Sequence, residues 1–345
     1  MDDYGKATSE HLNGIQVDNH SHSHYAVDMR FVRFLVPAIC GVALISCSST
    51  DTTSDSTASK QATITVAASF YPIAEIVSRV GGDNVDLVAL TPPGEGAHDV
   101  QLTAKSLDQL AAAELVFYIS DGFQPDIEKA VASLPGSVKA VDLLTSLELL
   151  PIVDQLEGTE GETDGEVLAS GKDPHVWLDP ANMVTMTRSV ADAMSQSSPD
   201  LSTSFAANAA AYIAELETLG NDIDTTLANC ESRALVTSHR AFAYLANRAN
   251  LTQVAISGVN PEEEPSAKNL EAIAAFALKN QVSTIFFETL LPADLAKTLA
   301  DKVGAAADLL DPIEGLSSED LADGATYISV QQDNLKRIAI GLRCS

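Results

Sequence analysis

Short apolar runs alternate with helical patterns along the chain after residue 62. In the first half, these runs predict β-strands at 62–68, 85–90, 115–119 and 138–141. Between them, apolar residues recur at every third or fourth position, as on one face of a helix. The first such stretch ends at Gly81-Gly82, which is a helix stop signal. Strands that alternate with helices predict a mostly parallel sheet with helices on both faces.

The same rhythm returns in the last third of the chain. Strands are predicted at 233–238, 253–256, 283–288 and 307–310, with helices between them and a final helix near 320–341. From 180 to 230 no strand pattern occurs, and apolar residues keep a helical spacing through Tyr212, Leu216, Leu219, Ile223 and Leu227. The predicted fold is therefore α/β, with two doubly wound lobes joined by a long rigid helix.

The predicted boundaries are 62–180 for the N-terminal lobe, 181–230 for the linking helical segment and 231–345 for the C-terminal lobe. Lobes of this kind bind ligands at the carboxyl ends of their strands, often between the two domains. A ligand site at the lobe interface is the expectation.

The first part of the chain has the layout of a secretory signal. Arg30 and Arg33 precede an apolar run, 34–45, that is too short to span a membrane as a mature helix. The run ends in L-I-S-C, which resembles the bacterial lipoprotein box. By that resemblance Cys47 is lipidated, residues 1–46 are an extension and a signal peptide that are removed, and 47–61 form a flexible tether. The protein is then extracytoplasmic and anchored to the bacterial cell membrane.

Two further features of this leader affect how the chain is interpreted. A signal peptide opens a chain, so Met29 is predicted to be the true start. The histidine-rich stretch at 20–24 lies upstream of the signal and would be absent from the mature protein. It is therefore not expected to hold a metal.

The composition excludes some functions. The chain of 345 residues has a formal net charge of -28, which excludes a general nucleic-acid binder, since such a protein needs a basic face. An acidic surface favours solubility and attracts cations. The stretch 151–172 is acidic, rich in glycine and without an apolar period, and it predicts a mobile loop.

Two cysteines remain once the signal and the lipid site are set aside. Cys230 and Cys344 form an even pair in an exported protein, for which a disulfide is plausible. Two buried thiols are the alternative that the sequence leaves open.

Only three of the seven histidines belong to the predicted mature chain, namely His98, His175 and His239. Each lies in a loop or at the end of a predicted strand, and the set is divided between both lobes. Three neutral imidazoles with one carboxylate suit a tetrahedral site for a dication such as Zn²⁺. The candidate carboxylates are Glu288, at the end of its strand, and Asp311, although either could instead cap a helix.

Six ordered motifs make the chain resemble the zinc/manganese solute-binding proteins of bacterial ABC importers, many of which are lipoproteins. The motifs are P-G-E-G-A-H-D at 93–99, D-P-H-V-W-L-D-P at 173–180, S-H-R-A-F-A-Y at 238–244, P-E-E-E-P-S at 261–266, F-F-E at 286–288 and L-D-P-I-E-G-L at 310–316. The resemblance covers roughly 62–340. It implies two α/β lobes joined by a long rigid helix, with the metal at their interface.

The resemblance also implies a ligand set. His98 and His175 would be the ligands from the first lobe, His239 the third ligand and Asp311 the fourth, with Glu288 as the alternative. A histidine in the third position goes mainly with zinc in this family, whereas a glutamate there goes mainly with manganese. The loop 151–172 departs from many zinc members because it contains no histidine.

A ligating imidazole needs a partner on its other nitrogen, and the candidate supporting residues are Asp99, Asp179 and Glu264. Glu288 is expected near the metal rather than on it.

The implied function is a receptor, not an enzyme. A monomer would capture Zn²⁺ outside the membrane and deliver it to an ABC permease and its ATPase. A receptor for Mn²⁺ or Fe²⁺ is the alternative within the class, and a zinc hydrolase is a more distant one, because the chain has no H-E-x-x-H motif. A role in cell adhesion is compatible with transport.

Overall fold

The computed structural model describes residues 63–98, 100–153, 156 and 170–345. The predicted signal peptide, the lipidation site Cys47, the tether, Asp99 and most of the acidic loop lie outside the described residues.

The first lobe is built on a four-stranded parallel sheet. Its strands are β1 (Ile64–Ala68), β2 (Val85–Ala89), β3 (Leu115–Tyr118) and β4 (Lys139–Asp142), in the order β2-β1-β3-β4. Its helices are α1 (Tyr71–Gly81), α2 (Ala104–Ala112) and α3 (Pro125–Val131). From β1 the chain adds β2 on one side and then β3 and β4 on the other. The loops that follow the strands on either side of β1 therefore diverge and leave a crevice at the carboxyl edge of the sheet.

Two helices follow the first lobe where the sequence predicts one continuous helical segment. They are α4 (Pro180–Ser197) and α5 (Ser202–Thr226), separated by a short 3₁₀ turn that begins at Pro199. The carboxylate of Asp179 caps α4 by accepting from the backbone N–H of Ala181. Helix α5 packs on α1 and α4 and then reaches α6 (Ala243–Ala249) and α10 (Tyr327–Gly341), so this single long helix joins the lobes.

The second lobe repeats the first sheet in order and direction. Its strands are β5 (Ala234–Thr237), β6 (Thr252–Ala255), β7 (Thr284–Phe287) and β8 (Ala306–Leu309), all parallel, in the order β6-β5-β7-β8. The remaining helices are α7 (Ala267–Lys279), α8 (Asp294–Val303) and α9 (Ser318–Ala322). The predicted fold class and the eight predicted strands are confirmed. The predicted final helix is divided into α9 and α10, with Gly324 at positive φ between them.

One hydrophobic cluster runs through both lobes and the linking helices. Trp177 from the first lobe, Tyr212 from α5 and Tyr327 from α10 are fully buried members of it. Because interiors of this kind are close-packed, the two lobes are held in a defined arrangement next to the loops that carry the site. None of the helices in the described part of the chain is both long and apolar enough to cross a membrane.

A disulfide joins Cys230 to Cys344, which are separated by 114 positions. The structure therefore contains the disulfide, and not the two buried thiols that the sequence left open as the alternative. The bond ties the end of the chain to the segment that enters β5. It therefore closes the second lobe at the amino end of β5.

Candidate metal centre

Four buried side chains converge between the two lobes, namely His98, His175, His239 and Glu314. Each offers one donor atom, and these atoms all lie within 4.8 Å of one another. His98 is carried by the loop after β2, and His175 lies just before α4. His239 and Glu314 come from the loops after β5 and β8. The sheets thus bring together side chains that are far apart in sequence.

The distances among these atoms match a tetrahedral site for a small dication. Oε1 of Glu314 lies 3.1 Å from Nε2 of His239, 3.5 Å from Nε2 of His98 and 3.6 Å from Nε2 of His175. The Nε2 atoms of His175 and His239 are 3.4 Å apart. Zinc bonds of about 2.0–2.1 Å in a tetrahedron place neighbouring ligand atoms roughly 3.3 Å apart. The group therefore fits zinc with modest adjustment.

The ring of His175 is held from behind by Asp173. One oxygen, Oδ1, lies 2.9 Å from Nδ1 of the ring and accepts from the backbone N–H of His175, also at 2.9 Å. When the ring is neutral, this carboxylate keeps the proton on Nδ1, so the lone pair of Nε2 faces the other ligands. Asp173 was not among the supporting residues predicted from the sequence. The available signal for this role was the position of Asp173, two residues before His175 in the motif D-P-H.

His239 has the same support from Glu288. Oε1 of Glu288 lies 2.7 Å from Nδ1 of His239 and accepts from its backbone N–H at 3.0 Å. Glu288 follows β7, the neighbour of β5 in the sheet, so the sheet itself sets the distance between the two residues. Glu288 therefore contacts the Nδ1 side of the His239 ring and is not one of the four converging donors.

The fourth converging side chain is Glu314, whereas Asp311, the expected ligand, lies outside the group. Oδ1 of Asp311 accepts from the backbone N–H of Ile313 at 2.7 Å, and Oδ2 accepts from the hydroxyl of Thr289 at 3.1 Å. The chain turns at Ile313, whose φ is 56°, and this turn brings Glu314 to the histidines. Glu314 was not among the site residues predicted from the sequence, although it lies in the motif L-D-P-I-E-G-L at 310–316.

Of the other predicted supporting residues, Asp99 lies outside the described residues, and neither Asp179 nor Glu264 contacts the histidines. Asp179 caps α4 and pairs with Arg248 at 2.9 Å. Glu264 is exposed. Trp177 packs beneath the site, since its ring centroid lies 5.2 Å from that of His175.

In the metal-free protein, the carboxylate of Glu314 and the buried imidazoles shift each other's pKa values. Burial would raise the pKa of Glu314, but the three imidazoles hold it well below its usual range. Burial would lower the pKa of His239, but Glu288 and Glu314 raise it to about 10. The pKa of His175 is also raised, because Asp173 and Glu314 outweigh its burial. A metal that binds these nitrogens must displace protons.

A cavity of about 130 Å³ leads to the group and carries acidic side chains on its walls. The acidic residues that line it are Glu262, Glu288, Asp311 and Glu314. Burial raises the pKa of Asp311 to about 6 despite its two hydrogen bonds.

Gly315 lies where the two lobes meet, and a Cβ there would be 2.7 Å from the carbonyl oxygen of Glu95. The cavity is thus a narrow acidic path suited to a cation.

Comparison with known proteins places the chain among zinc-uptake and zinc-binding proteins. The family model of the periplasmic zinc-uptake complex component A, ZnuA, matches residues 66–341. The zinc-binding lipoprotein AdcA of Streptococcus pneumoniae is 32% identical over 313 residues, which are 90% of this chain and 60% of AdcA. The chain thus spans about 60% of the length of AdcA.

One further relative, and one domain of AdcA itself, are matched over nearly their whole length. The high-affinity zinc uptake system protein ZnuA of Bacillus subtilis is 32% identical over 307 residues, which are 88% of this chain and 92% of that protein. The Zn(II)-bound ZnuA-like domain of AdcA from S. pneumoniae has a solved structure with a TM-score of 0.68 and 32% identity. The match covers 81% of this chain and 99% of that domain.

Proposed function

Because the chain belongs to the zinc-uptake complex component A family, we propose that it is an extracytoplasmic receptor that captures Zn²⁺ and delivers it to an ABC importer. The observation that carries the proposal is the convergence of three imidazole nitrogens and one carboxylate oxygen in a buried group.

The donor set favours zinc over the other metals of the transporter class. Imidazole nitrogens suit Zn²⁺, whereas Mn²⁺ prefers an octahedral shell of oxygen ligands. The separations of 3.1–3.6 Å between Glu314 and the histidines correspond to the short edges of a tetrahedron. A receptor for Mn²⁺ or Fe²⁺ remains the alternative within the class.

The proposed role is binding rather than catalysis. A catalytic zinc keeps one coordination position open for water or substrate, whereas a site with four protein ligands is closed. His175 and His239 are fully buried, and Glu314 is 5% exposed, which leaves little room for a substrate beside the ion. A zinc hydrolase is the less favoured alternative.

The cellular setting proposed here combines the leader sequence with the family. Cys47 would carry the lipid, and the polar residues after it would tether a monomeric receptor to the outer face of the cell membrane. Two observations support a lipid anchor. The leader contains the L-I-S-C box, and the pneumococcal relative AdcA is named a zinc-binding lipoprotein. The partners would be an ABC permease and its cytoplasmic ATPase.

Competition dialysis tests the choice of metal. The metal-stripped protein is dialysed against equal concentrations of Zn²⁺ and Mn²⁺, and the bound metal is quantified by mass spectrometry. We expect about one zinc per chain and a small fraction of manganese. Dominant manganese would favour the alternative receptor. Hydrolytic turnover that a chelator abolishes would favour the enzyme.

A further inference from the structure

Tyr244 makes two hydrogen bonds through one buried hydroxyl. It follows His239 by five positions, lies on α6 of the second lobe and is 4% exposed. Its hydroxyl donates to the carbonyl oxygen of Asp173 at 2.7 Å and accepts from the backbone N–H of Leu150 at 3.0 Å. Both partners belong to the first lobe. The hydroxyl therefore joins the two lobes at the residue that holds the ring of His175.

The backbone of Asp173 is fixed on both sides of its Cα. Its N–H donates to the carbonyl oxygen of Leu150 at 2.9 Å, and its carbonyl oxygen accepts from Tyr244. Pro174 comes next and has a restricted φ, so little backbone freedom remains between Asp173 and His175. These bonds hold the carboxylate of Asp173 where its Oδ1 lies 2.9 Å from Nδ1 of His175.

We propose that Tyr244 is a positioning residue for zinc binding, an inference that rests on the proposed function of the site. Its hydroxyl holds Asp173, and Asp173 holds the ring of His175. The segment 239–244 thus supplies one ligand, His239, and positions a second ligand that belongs to the other lobe. The Nε2 atoms of these two histidines lie 3.4 Å apart, and Tyr244 helps to keep them at this separation.

The alternative is that Tyr244 only fills space in the core. Its side chain belongs to the hydrophobic cluster that runs through both lobes. Tyr212 is the matched control, because it is a fully buried tyrosine of the same cluster. Within the part of the chain that the structure describes, its hydroxyl makes no hydrogen bond. Tyr212→Phe therefore removes a buried hydroxyl without removing a hydrogen bond.

The first measurement is the zinc affinity of Tyr244→Phe, obtained by competition with a chelator of known affinity. Phenylalanine keeps the ring in the core and removes both hydrogen bonds of the hydroxyl. We expect a loss of about 3–10-fold, which corresponds to a hydrogen bond of ordinary strength. Tyr212→Phe should bind zinc as the natural chain does. Natural affinity in Tyr244→Phe, or an equal loss in both variants, would overturn the proposal.

A double-mutant cycle shows whether the effect passes through Asp173. Asp173→Ala removes the carboxylate that Tyr244 positions. Adding Tyr244→Phe to this variant should then change the zinc affinity by no more than about two-fold, because the two residues act as one unit. If the second change costs as much in Asp173→Ala as it does in the natural chain, Tyr244 acts independently of Asp173 and the proposal is wrong.

Nuclear magnetic resonance on the metal-free full chain separates positioning from a general loss of packing. The Nδ1–H resonances of His175 and His239, assigned by their absence in the corresponding Gln variants, report the hydrogen bonds to Asp173 and Glu288. In Tyr244→Phe the resonance of His175 should shift or broaden, and that of His239 should stay in place. Similar changes in both rings, or no change in either, would contradict the proposal.

Thermal unfolding shows whether Tyr244→Phe is folded. If it is not, hydrogen exchange in the natural chain replaces the variant, because coupling between two sites is reciprocal. Zinc should slow exchange of the Leu150 amide, which donates to Tyr244, at least about five-fold more than that of Lys139 on the edge strand β4. Equal slowing of the two amides would overturn the proposal.

The outcomes for this role and for the proposed function can be told apart. A natural chain that binds no zinc refutes the proposed function. A natural chain that binds zinc no more tightly than a folded Tyr244→Phe refutes only the role of Tyr244.

Discussion

The indole N–H of Trp177 donates a 2.7 Å hydrogen bond to the carbonyl oxygen of Pro312. Trp177 belongs to the first lobe, and Pro312 lies two residues before Glu314 in the second. A buried side chain of one lobe thus positions the loop of the other lobe that carries Glu314, the fourth of the converging side chains. The carbonyl oxygen of Trp177 in turn accepts from the hydroxyl of Tyr327.

Replacement of Trp177 by Phe is expected to weaken both folding and zinc binding. The change leaves the buried carbonyl of Pro312 without a donor, which costs about 1–3 kcal/mol of unfolding free energy. The loop of Glu314 would then be less well held. Tyr327→Phe is the matched control, since it also removes a buried hydrogen bond but does not touch Pro312. Urea denaturation and zinc titration should separate the two variants. Equal zinc affinities in both would contradict this role of Trp177.

The carboxylates behind the histidines are expected to set the zinc affinity without contacting the metal. Asp173→Asn and Glu288→Gln should each weaken zinc binding by about 10–100-fold, as is usual for partners of ligating histidines. Competition with a chelator of known affinity measures the effect. Asp179→Asn is the control, because Asp179 pairs with Arg248 and contacts no histidine of the group. A Glu288→Gln variant with undiminished affinity would contradict the interpretation.

Zinc binding is expected to release protons near pH 7. The pKa of His239 is raised to about 10, so this ring holds a proton in the metal-free protein at neutral pH, and the pKa of His175 is raised as well. Zinc takes the deprotonated form, so affinity rises with pH and falls as the solution becomes acidic. Calorimetry at one pH in buffers of different ionisation enthalpy should show at least one proton released. A binding enthalpy that is the same in every buffer would contradict this.

The disulfide is expected to stabilise the fold without affecting the metal site. Replacing both Cys230 and Cys344 by Ser opens a loop of 114 positions, and the expected loss is about 2–4 kcal/mol of unfolding free energy. The bond lies at the amino end of β5, whereas His239 follows its carboxyl end. Zinc affinity should therefore stay the same. Urea denaturation with and without a reducing agent checks the first expectation, and a large loss of affinity would contradict the second.

Much of the site could be predicted because strands and loops leave clear patterns. Alternation of apolar runs and helical spacing identified the eight strands, and strand ends are where such folds place ligand groups. Asp311 and Glu314 were harder to tell apart, because both lie in one loop three residues apart. The distinction depends on the turn at Ile313, whose positive φ is uncommon for a β-branched residue. No local pattern of residue types signals that turn.

The helices show a similar limit. The segment 180–230 has a continuous helical spacing, yet Pro199 begins a turn that divides it into α4 and α5. The S-S-P-D stretch at 197–200 was the available signal, since the residue before a proline disfavours helix. Partners such as Asp173 for His175 depend on how side chains rotate, and the sequence shows only that the two are close.

The most direct test of the account is a zinc titration of the metal-stripped protein beside its Glu314→Gln and Asp311→Asn variants. Asn at 311 keeps the oxygen that accepts from Ile313, so that variant should fold normally. We predict one zinc per chain in the natural protein, a loss of roughly 100-fold or more in Glu314→Gln, and a much smaller change in Asp311→Asn. Natural affinity in Glu314→Gln, or a larger loss in Asp311→Asn, would contradict a site formed by three histidines and Glu314.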